Sequence, residues 1–514
     1  MIRWKKAAAA AAIAVTTALA VTACAGGGTD GGGGDSATGG TLTLGGFLAP
    51  TTFDPAGSEW GNRSPFYQSV YDTLLLGTPD GEIEPWLASE WSYNEDNTVL
   101  TLTLRDDVTF TDGSKLTADV VVANLQRFKD GTAPSAGNFA QVTSFEAPDE
   151  STVVITMEAP NPAMLSYLSR EPGLIASGEA LDNPDDLATT PVGSGPYVLD
   201  TAATVTGTTY VYTKNADYWN PDVQHYDGIT INILSDPTAA LNAIKAGEAN
   251  GVKLANNDAL TEVEGAGWTV SAVELDFQGI LLLDRAGSMD PALGDVKVRQ
   301  AINYAFDRAG LLTALQADHG TVTTQVFPTS SDAYDPELDS YYDYDPEKAK
   351  ELLAEAGYPD GLEISMPTVS VLSPASYALV AQQLADVGIT VKATDVPIGN
   401  FIADLLAPKY PASLMSLEQN PDWQLINFMI APNAIFNPFK YQDPQVDEYI
   451  QQIQFGDEAT QASVVRELNT YIVEQAWFAP FYRIEGSFAT DANTNVVLST
   501  TNAYPAIYEF TPKQ

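Results

Sequence analysis

IEPWLASEWSYNEDNTVLTLTLRDDVTFTDGSKLTADVVV, from Ile83 to Val122, changes its apolar period once, and that change decides the fold class. Leu100, Leu102 and Leu104 alternate with Thr101, Thr103 and Arg105, the period of a strand with one buried face. Val108 and Phe110 continue the alternation and run into Asp112-Gly113, a turn pair, so this part reads as an antiparallel meander. The pattern then becomes helical. Thr117 is placed as an N-cap, with Asp119 in the first turn, where a negative charge suits the helix dipole.

Outward from this stretch, strands and helices keep mixing. TLTLGGF (Thr41–Phe47) reads as a first strand entering a loop. STVVITMEAP, TTYVYTKNADYW and GITINIL are further strands, and PTAALNAIKAGE is a helix. The second half holds more helix. Gly294–Leu315 reads as one helix with Val298, Ala301, Ile302, Ala305 and Phe306 on a single face. Asp345-Pro346-Glu347 opens another, Ala349, Leu352, Leu353 and Ala356 form its stripe, and Gly357 stops it. SYALVAQQLADVG followed by ITVKATDV reads as helix then strand, and VDEYIQQIQ and ASVVRELNTYIVEQA as two amphipathic helices. No block of fixed period repeats, so a solenoid is not expected. The expected class is α/β, with mixed sheets flanked by helices in more than one lobe.

The N-terminus has a separate logic. Arg3, Lys5 and Lys6 precede an alanine-rich apolar run from Ala7 to Ala23, the pattern of a bacterial export signal at residues 1–23. Val21-Thr22-Ala23-Cys24 is similar to the lipobox of bacterial lipoproteins, which implies cleavage before Cys24 and acylation of its thiol, palmitate included. An ordinary secretory cleavage beside a bystander cysteine is the competing reading. Residues 24–40, rich in glycine, then form a flexible leash that buries too little apolar surface to offset backbone entropy. The expected location is the extracytoplasmic face of the cell membrane, held there by lipid.

Cys24 is the sole cysteine, so no intramolecular disulfide staples the chain. A mature chain of roughly 490 residues is long enough to bury its own core, in two or three domains. The net charge is −43, and −46 once Arg3, Lys5 and Lys6 are removed, which argues against nucleic acid as a partner. Catalytic signatures are missing: no GxSxG, no HExxH and no nucleotide-binding glycine pattern. Only His225 and His319 exist, both in turn-like contexts, so neither a metal nor another cofactor is expected. Gly193-Ser194-Gly195-Pro196-Tyr197 lacks a nearby Lys and reads as a tight turn rather than a phosphate loop.

Several stretches resemble the extracytoplasmic solute-binding proteins of ABC importers, in the peptide/nickel class. They are Ile83–Val122, PVGSGPYVL (Pro191–Leu199), Lys214–Glu248, DVKVRQAINYAFDR (Asp295–Arg308) and Tyr342–Tyr358, in the family's order. The resemblance implies a two-lobed periplasmic-binding-protein-like fold of type II, with a further subdomain inserted in the first lobe. The implied lobe I is 41–278, with the insertion at about 77–190; lobe II is 279–484, and 485–514 returns to lobe I. It also implies crossovers near Leu275–Leu283 and Phe481–Phe488, and a hinge closing on ligand. The implied partners are a small peptide or organic solute, an ABC permease with its ATPase, and the membrane through the anchor. The protein itself is expected to be a monomer and not an enzyme.

Where the family lines its cleft, the candidate ligand-binding residues are Phe47, Thr51, Trp60, Phe277, Gln278, Asn420, Asp422, Trp423, Tyr482 and Arg483. Packing in the hinge or core is the competing role for each aromatic. Trp86, Trp91, Trp219 and Trp477 read as structural. Dipeptide binders of the family use an acid for the ligand's amine and an Arg for its carboxylate. Here the acid region reads Glu418-Gln419-Asn420-Pro421-Asp422, and Pro367–Pro374 holds no Arg. The expected ligand is therefore a longer peptide held through its backbone, or a neutral or cationic solute stacked on Trp423. A lipid-tethered secreted hydrolase and a sensing or chaperone-like lipoprotein on the same fold are the alternatives.

Overall fold

The computed structural model describes residues 39–513 other than 256, 258 and 370–372. The export signal, Cys24 and most of the glycine leash lie outside the described residues.

The stretch from Ile83 to Val122 folds largely as its periods dictate. Ala88–Tyr93, Val99–Leu104, Thr152–Met157 and Val142–Glu146 form a four-stranded antiparallel sheet in that spatial order. Leu100 stands opposite Ile155 and Leu102 opposite Val153, so one face is uniformly aliphatic and fully buried. Helix Ala118–Lys129 covers that face with Val121, Leu125 and Phe128, and the Thr117 hydroxyl accepts from the Val120 N–H. Each such buried side chain contributes about 1.5–3 kcal/mol. The expected continuation of the meander through Val108 and Phe110 is absent. Both side chains are buried, but the backbone makes a single bridge, Thr109 to Lys115, because the turn at Asp112-Gly113 closes at once.

Three of the recurring stretches meet at one buried carboxylate. Asp72 is fully buried and accepts from Trp86 Nε1 (2.8 Å), the Ser194 hydroxyl (2.8 Å), the Tyr218 hydroxyl (2.8 Å) and Trp219 Nε1 (3.0 Å). Burial pushes this carboxyl above its ordinary value while the four donors pull it back. Gly193-Ser194-Gly195, expected as a tight turn, packs against Val70. A Cβ on Gly193 would stand 2.1 Å from the Val70 carbonyl oxygen, and one on Gly195 2.4 Å from the Val70 carbonyl carbon, so both glycines serve close backbone approach.

The main sheet has nine strands and is mixed. Its order runs Ala412–Glu418, Thr269–Leu282, Phe478–Thr490, Gly251–Lys253, Thr41–Gly46, Gly228–Ile233, Thr209–Lys214, Tyr197–Leu199, and Gly320–Val322 pairs with Phe478–Thr490 off that path. Thr41–Gly46 runs parallel to both neighbours, and the other pairs are antiparallel. The two longest strands, Thr269–Leu282 and Phe478–Thr490, lie side by side and pass between cores. At one end Ile280, Leu282, Ala479 and Phe481 pack with the helices of the second half. At the other, Ala489 packs with Val252, and Phe488 with Leu42 and Leu44.

The expected helix from Gly294 to Leu315 is two helices, Val296–Tyr304 and Arg308–Gln316. Asp307 caps the second by accepting from the Gly310 N–H at 2.9 Å. Arg308, also buried, donates to the carbonyls of Pro480, Asn303 and Tyr342, which fixes the corner. The face expected to be buried is buried throughout, from Val298 to Phe306.

Candidate functional site

The crossover strands set the site. Along them, Gln278 donates to the Ser416 hydroxyl at 3.1 Å and accepts from the Tyr482 hydroxyl. Arg483, 1% exposed, donates to both oxygens of Asp339 (2.7 and 3.2 Å) and to the Thr323 hydroxyl. Burial pushes the Asp339 carboxyl up, but the Arg483 bonds and charge outweigh it, and the carboxyl lies below its ordinary range. Phe277 sits fully buried in the core that also holds Leu417 and Trp423. Four of the ten expected ligand contacts are thus turned inward, and Gln278, Tyr482 and Arg483 already bond to the protein. The register shifts twice in this stretch, between Glu274 and Asp276 and between Gln278 and Gly279.

Asp276, beside them, faces out. It stands opposite Glu418 in the antiparallel pair, so the two carboxylates are neighbours on one face of the sheet. Both keep solvent contact, yet protein surrounds them closely enough that burial raises both carboxyls. Lys253 draws Asp276 back down, and Arg170 does the same for Glu418. Burial lowers the Lys253 ammonium, and the two acids pull it up. Lys253 Nζ donates to Asn62 Oδ1 at 2.7 Å, and Arg170 Nη2 donates to the Thr501 carbonyl at 2.8 Å. Three strands of one half of the sheet thus carry Glu418, Asp276 and Lys253.

Two pockets share Ser166 and Pro421, and of these charged residues Arg170 lines the first. Trp60, half-buried, lines the first with Tyr71, Arg170 and Asn502. Trp423 and Asp422 line the second with Pro162, Asp332 and Glu458. Asp422 has φ +29°, a left-handed value rare outside glycine, and accepts from the Ser331 hydroxyl, while burial raises its carboxyl. Gln424 donates to the Ser166 hydroxyl at 2.6 Å and Gln454 to the Pro160 carbonyl at 3.0 Å, so Pro160–Ser166 touches the second half directly. Phe47 and Asn420 are half-buried in loops and Thr51 is exposed; none of the three lines either pocket.

The expected residues therefore gather in part: Trp60 in one pocket, Asp422 and Trp423 in the other. Sequence reasoning passed over Asp276, Glu418, Lys253 and Arg170. The available signal was Asp276 itself, a charge inside the apolar run Leu275–Leu283, which a buried strand does not tolerate without reason. His319 pairs with Glu485 at 3.2 Å on the return strand. Among the described residues no helix is long and apolar enough to cross a membrane.

Known proteins supply the context. Residues 82–433 match the model of bacterial extracellular solute-binding proteins, family 5 Middle. The glutathione-binding protein GsiB of Escherichia coli (strain K12) is 28% identical over 454 residues, covering 84% of this chain and 86% of its own. Among solved structures, HbpA2 from Haemophilus parasuis superposes with a TM-score of 0.80 at 25% identity, over 92% of this chain and 100% of that one. DppA from Helicobacter pylori, in complex with the peptide STSA, gives 0.76 at 22% identity, over 93% and 99%. A mixed sheet whose two longest strands pass side by side between cores is the two-lobed type II architecture of these neighbours, and the chain belongs to the bacterial extracellular solute-binding proteins of family 5.

Proposed function

We propose that this protein is the substrate-binding lipoprotein of an ABC importer, which encloses a peptide or similar small organic solute between two lobes and passes it unaltered to a membrane permease. One observation carries the reading. Two adjoining pockets that share Ser166 and Pro421 are lined from both halves of the chain, by Trp60 and Arg170 with Pro421 in one and by Pro162 and Ser166 with Asp422 and Trp423 in the other. Relatives named for glutathione and neighbours holding STSA or Met-Leu support a peptide-like solute. The division proposed from the crossovers is 41–278 and 485–514 for lobe I, 279–484 for lobe II, and 77–190 for the inserted subdomain. A four-stranded sheet within that range, and a hydrophobic core drawn mostly from it with Leu74 and Leu75, support the insertion. Cys24, once acylated, retains the protein at the outer face of the membrane, where several acyl chains hold nearly permanently at about 0.8 kcal/mol per buried CH₂.

Calorimetry with a panel of di- to pentapeptides, followed by X-ray scattering with each binder, tests this. Binding with a smaller radius of gyration, and a ligand recovered intact by mass spectrometry, is the expected result. Absence of any binder, or turnover of one, overturns it.

A further inference from the structure

We infer that Glu274, Glu485 and His319, level with one another where the two long strands pass between the halves, form a pH-sensitive clasp, and that a proton on His319 favours the form that holds solute. This rests on the solute-binding reading. Glu485 lies on the middle strand of three. Glu274 stands directly opposite it on Thr269–Leu282. On the other side Gly320 stands opposite Ile484, which brings His319, the preceding residue, level with Glu485. His319 Nδ1 lies 3.2 Å from Glu485 Oε2, and all three side chains are half-buried. The strands approach closely here, since a Cβ on Gly320 would stand 2.1 Å from the Arg483 carbonyl oxygen. The row also adjoins the register shift between Glu274 and Asp276, where the ladder of the long strands is locally disrupted. In the proposed division Glu274 and Glu485 belong to lobe I and His319 to lobe II, so the pair joins the lobes.

Like charges directly opposite in an antiparallel pair repel, so Glu274 and Glu485 weaken the crossing they share. The neighbouring charges do not relieve them. Arg483, on the same strand as Glu485, donates to both oxygens of Asp339. Tyr334 donates to Asp339 at 2.8 Å, and the Arg483 guanidinium lies over its ring. Tyr334 is within electrostatic reach of Glu274, which places this ion pair beside the row. Asp318, next to His319, accepts from the Thr313 hydroxyl and adds negative charge. His319 is thus the group here that gains positive charge near neutral pH, since histidine ordinarily titrates at about 6.5. In this form the halves touch elsewhere, through Gln424 to Ser166 and Gln454 to Pro160. A proton that tightens the Glu485 contact therefore favours the touching form, and by reciprocity solute capture in that form draws the proton in. The advantage is complete while the imidazole is charged and is lost as the pH rises past the histidine range. A half-exposed pair of this kind shifts an equilibrium by about two- to fivefold.

Calorimetry on the full chain at about pH 5.5 and pH 7.5, with the tightest-binding member of the di- to pentapeptide panel, tests this. The ratio of wild-type affinity at the lower pH to that at the higher should exceed the same ratio in His319→Gln and in Glu485→Gln by about two- to fivefold, circular dichroism showing both folded. Titration of the peptide itself cancels in that comparison. His225→Gln, which removes the other histidine, should keep the wild-type ratio. Near pH 6.5 the wild-type binding heat should vary with the ionisation enthalpy of the buffer in the sense of proton uptake, and less so in His319→Gln. Equal ratios in wild type and His319→Gln, or a ratio lost in His225→Gln alone, overturn the inference while the solute-binding function stands. Binding of no panel member overturns that function and the inference with it.

Discussion

A carboxylate's neighbours decide what it does. Asp72 is fully buried and has four donors aimed at it, whereas Asp276 faces out and has none among the described residues. Asp72 therefore belongs to the frame. Asp72→Asn sets an amide NH₂ against groups that can only donate, or prefer to, and should cost about 2–4 kcal/mol, read as a lower urea midpoint with an unchanged slope. Asp276 and Glu418 behave in the opposite way. Their carboxyls are raised in the folded protein, so the stability they lend is full at pH below the ordinary carboxylate value of about 4 and is lost as pH rises through the raised values. The D276N/E418Q double variant should melt higher than wild type at pH 7, and the gap should close as the pH falls toward 4. A double variant that melts lower at pH 7 would mean that the pair has a partner within the protein. At this scale the sequence was readable where a residue acts on its own chain. Thr117 caps its helix, and Asp345 accepts from the Lys348 N–H at 2.9 Å as its place before Pro346 implies. Glu418 was unreadable as half of a pair, because its partner lies far off in sequence and meets it only through strand register.

Elements were legible in type and less so in extent. Alternation located the sheet strands, and the 3.6-residue stripe located the helices. The break at Ala305–Asp307 escaped because the apolar face continues through it, and the corner is fixed by Arg308 reaching carbonyls on distant segments. The same limit hid the role of helix Met164–Leu168. Nothing in MLSYL announces a contact with the second half, yet Ser166 meets Gln424, and Ala163 and Tyr167 join the core that holds Trp423. Gln424 and Gln454 together should hold this contact closed. Replacing both with Ala removes two hydrogen bonds of about 1 kcal/mol each. Scattering of the variant without solute should give a larger radius of gyration than wild type, and its solutes should bind several-fold more weakly. An unchanged radius would show that the contact does not hold the lobes.

For the molecule as a whole, the ordered motifs of the chain were enough to indicate the two-lobed type II fold, since Asp72, Gly193, Gly195 and Trp219 lock together in one way. The chemistry of the cleft was less visible, because the residues at the crossing that look most ligand-like, Tyr482 and Arg483, are committed to Gln278 and Asp339. The proposed anchor is a whole-molecule property as well. Cys24→Ser should move the protein from the detergent phase to the aqueous phase in a phase-partition assay, without altering solute affinity. Retention in the detergent phase would point to a different means of attachment.

The two long crossover strands have a consequence for modularity. Thr269–Leu282 carries Val270 against one core and Leu282 inside another, and Phe478–Thr490 likewise serves Phe481 at one end and Ala489 at the other. There is no linker to cut. A gene fragment encoding either lobe alone would end in half a ribbon with an unpaired edge, so the halves are expected to be inherited, exchanged and melted as one unit.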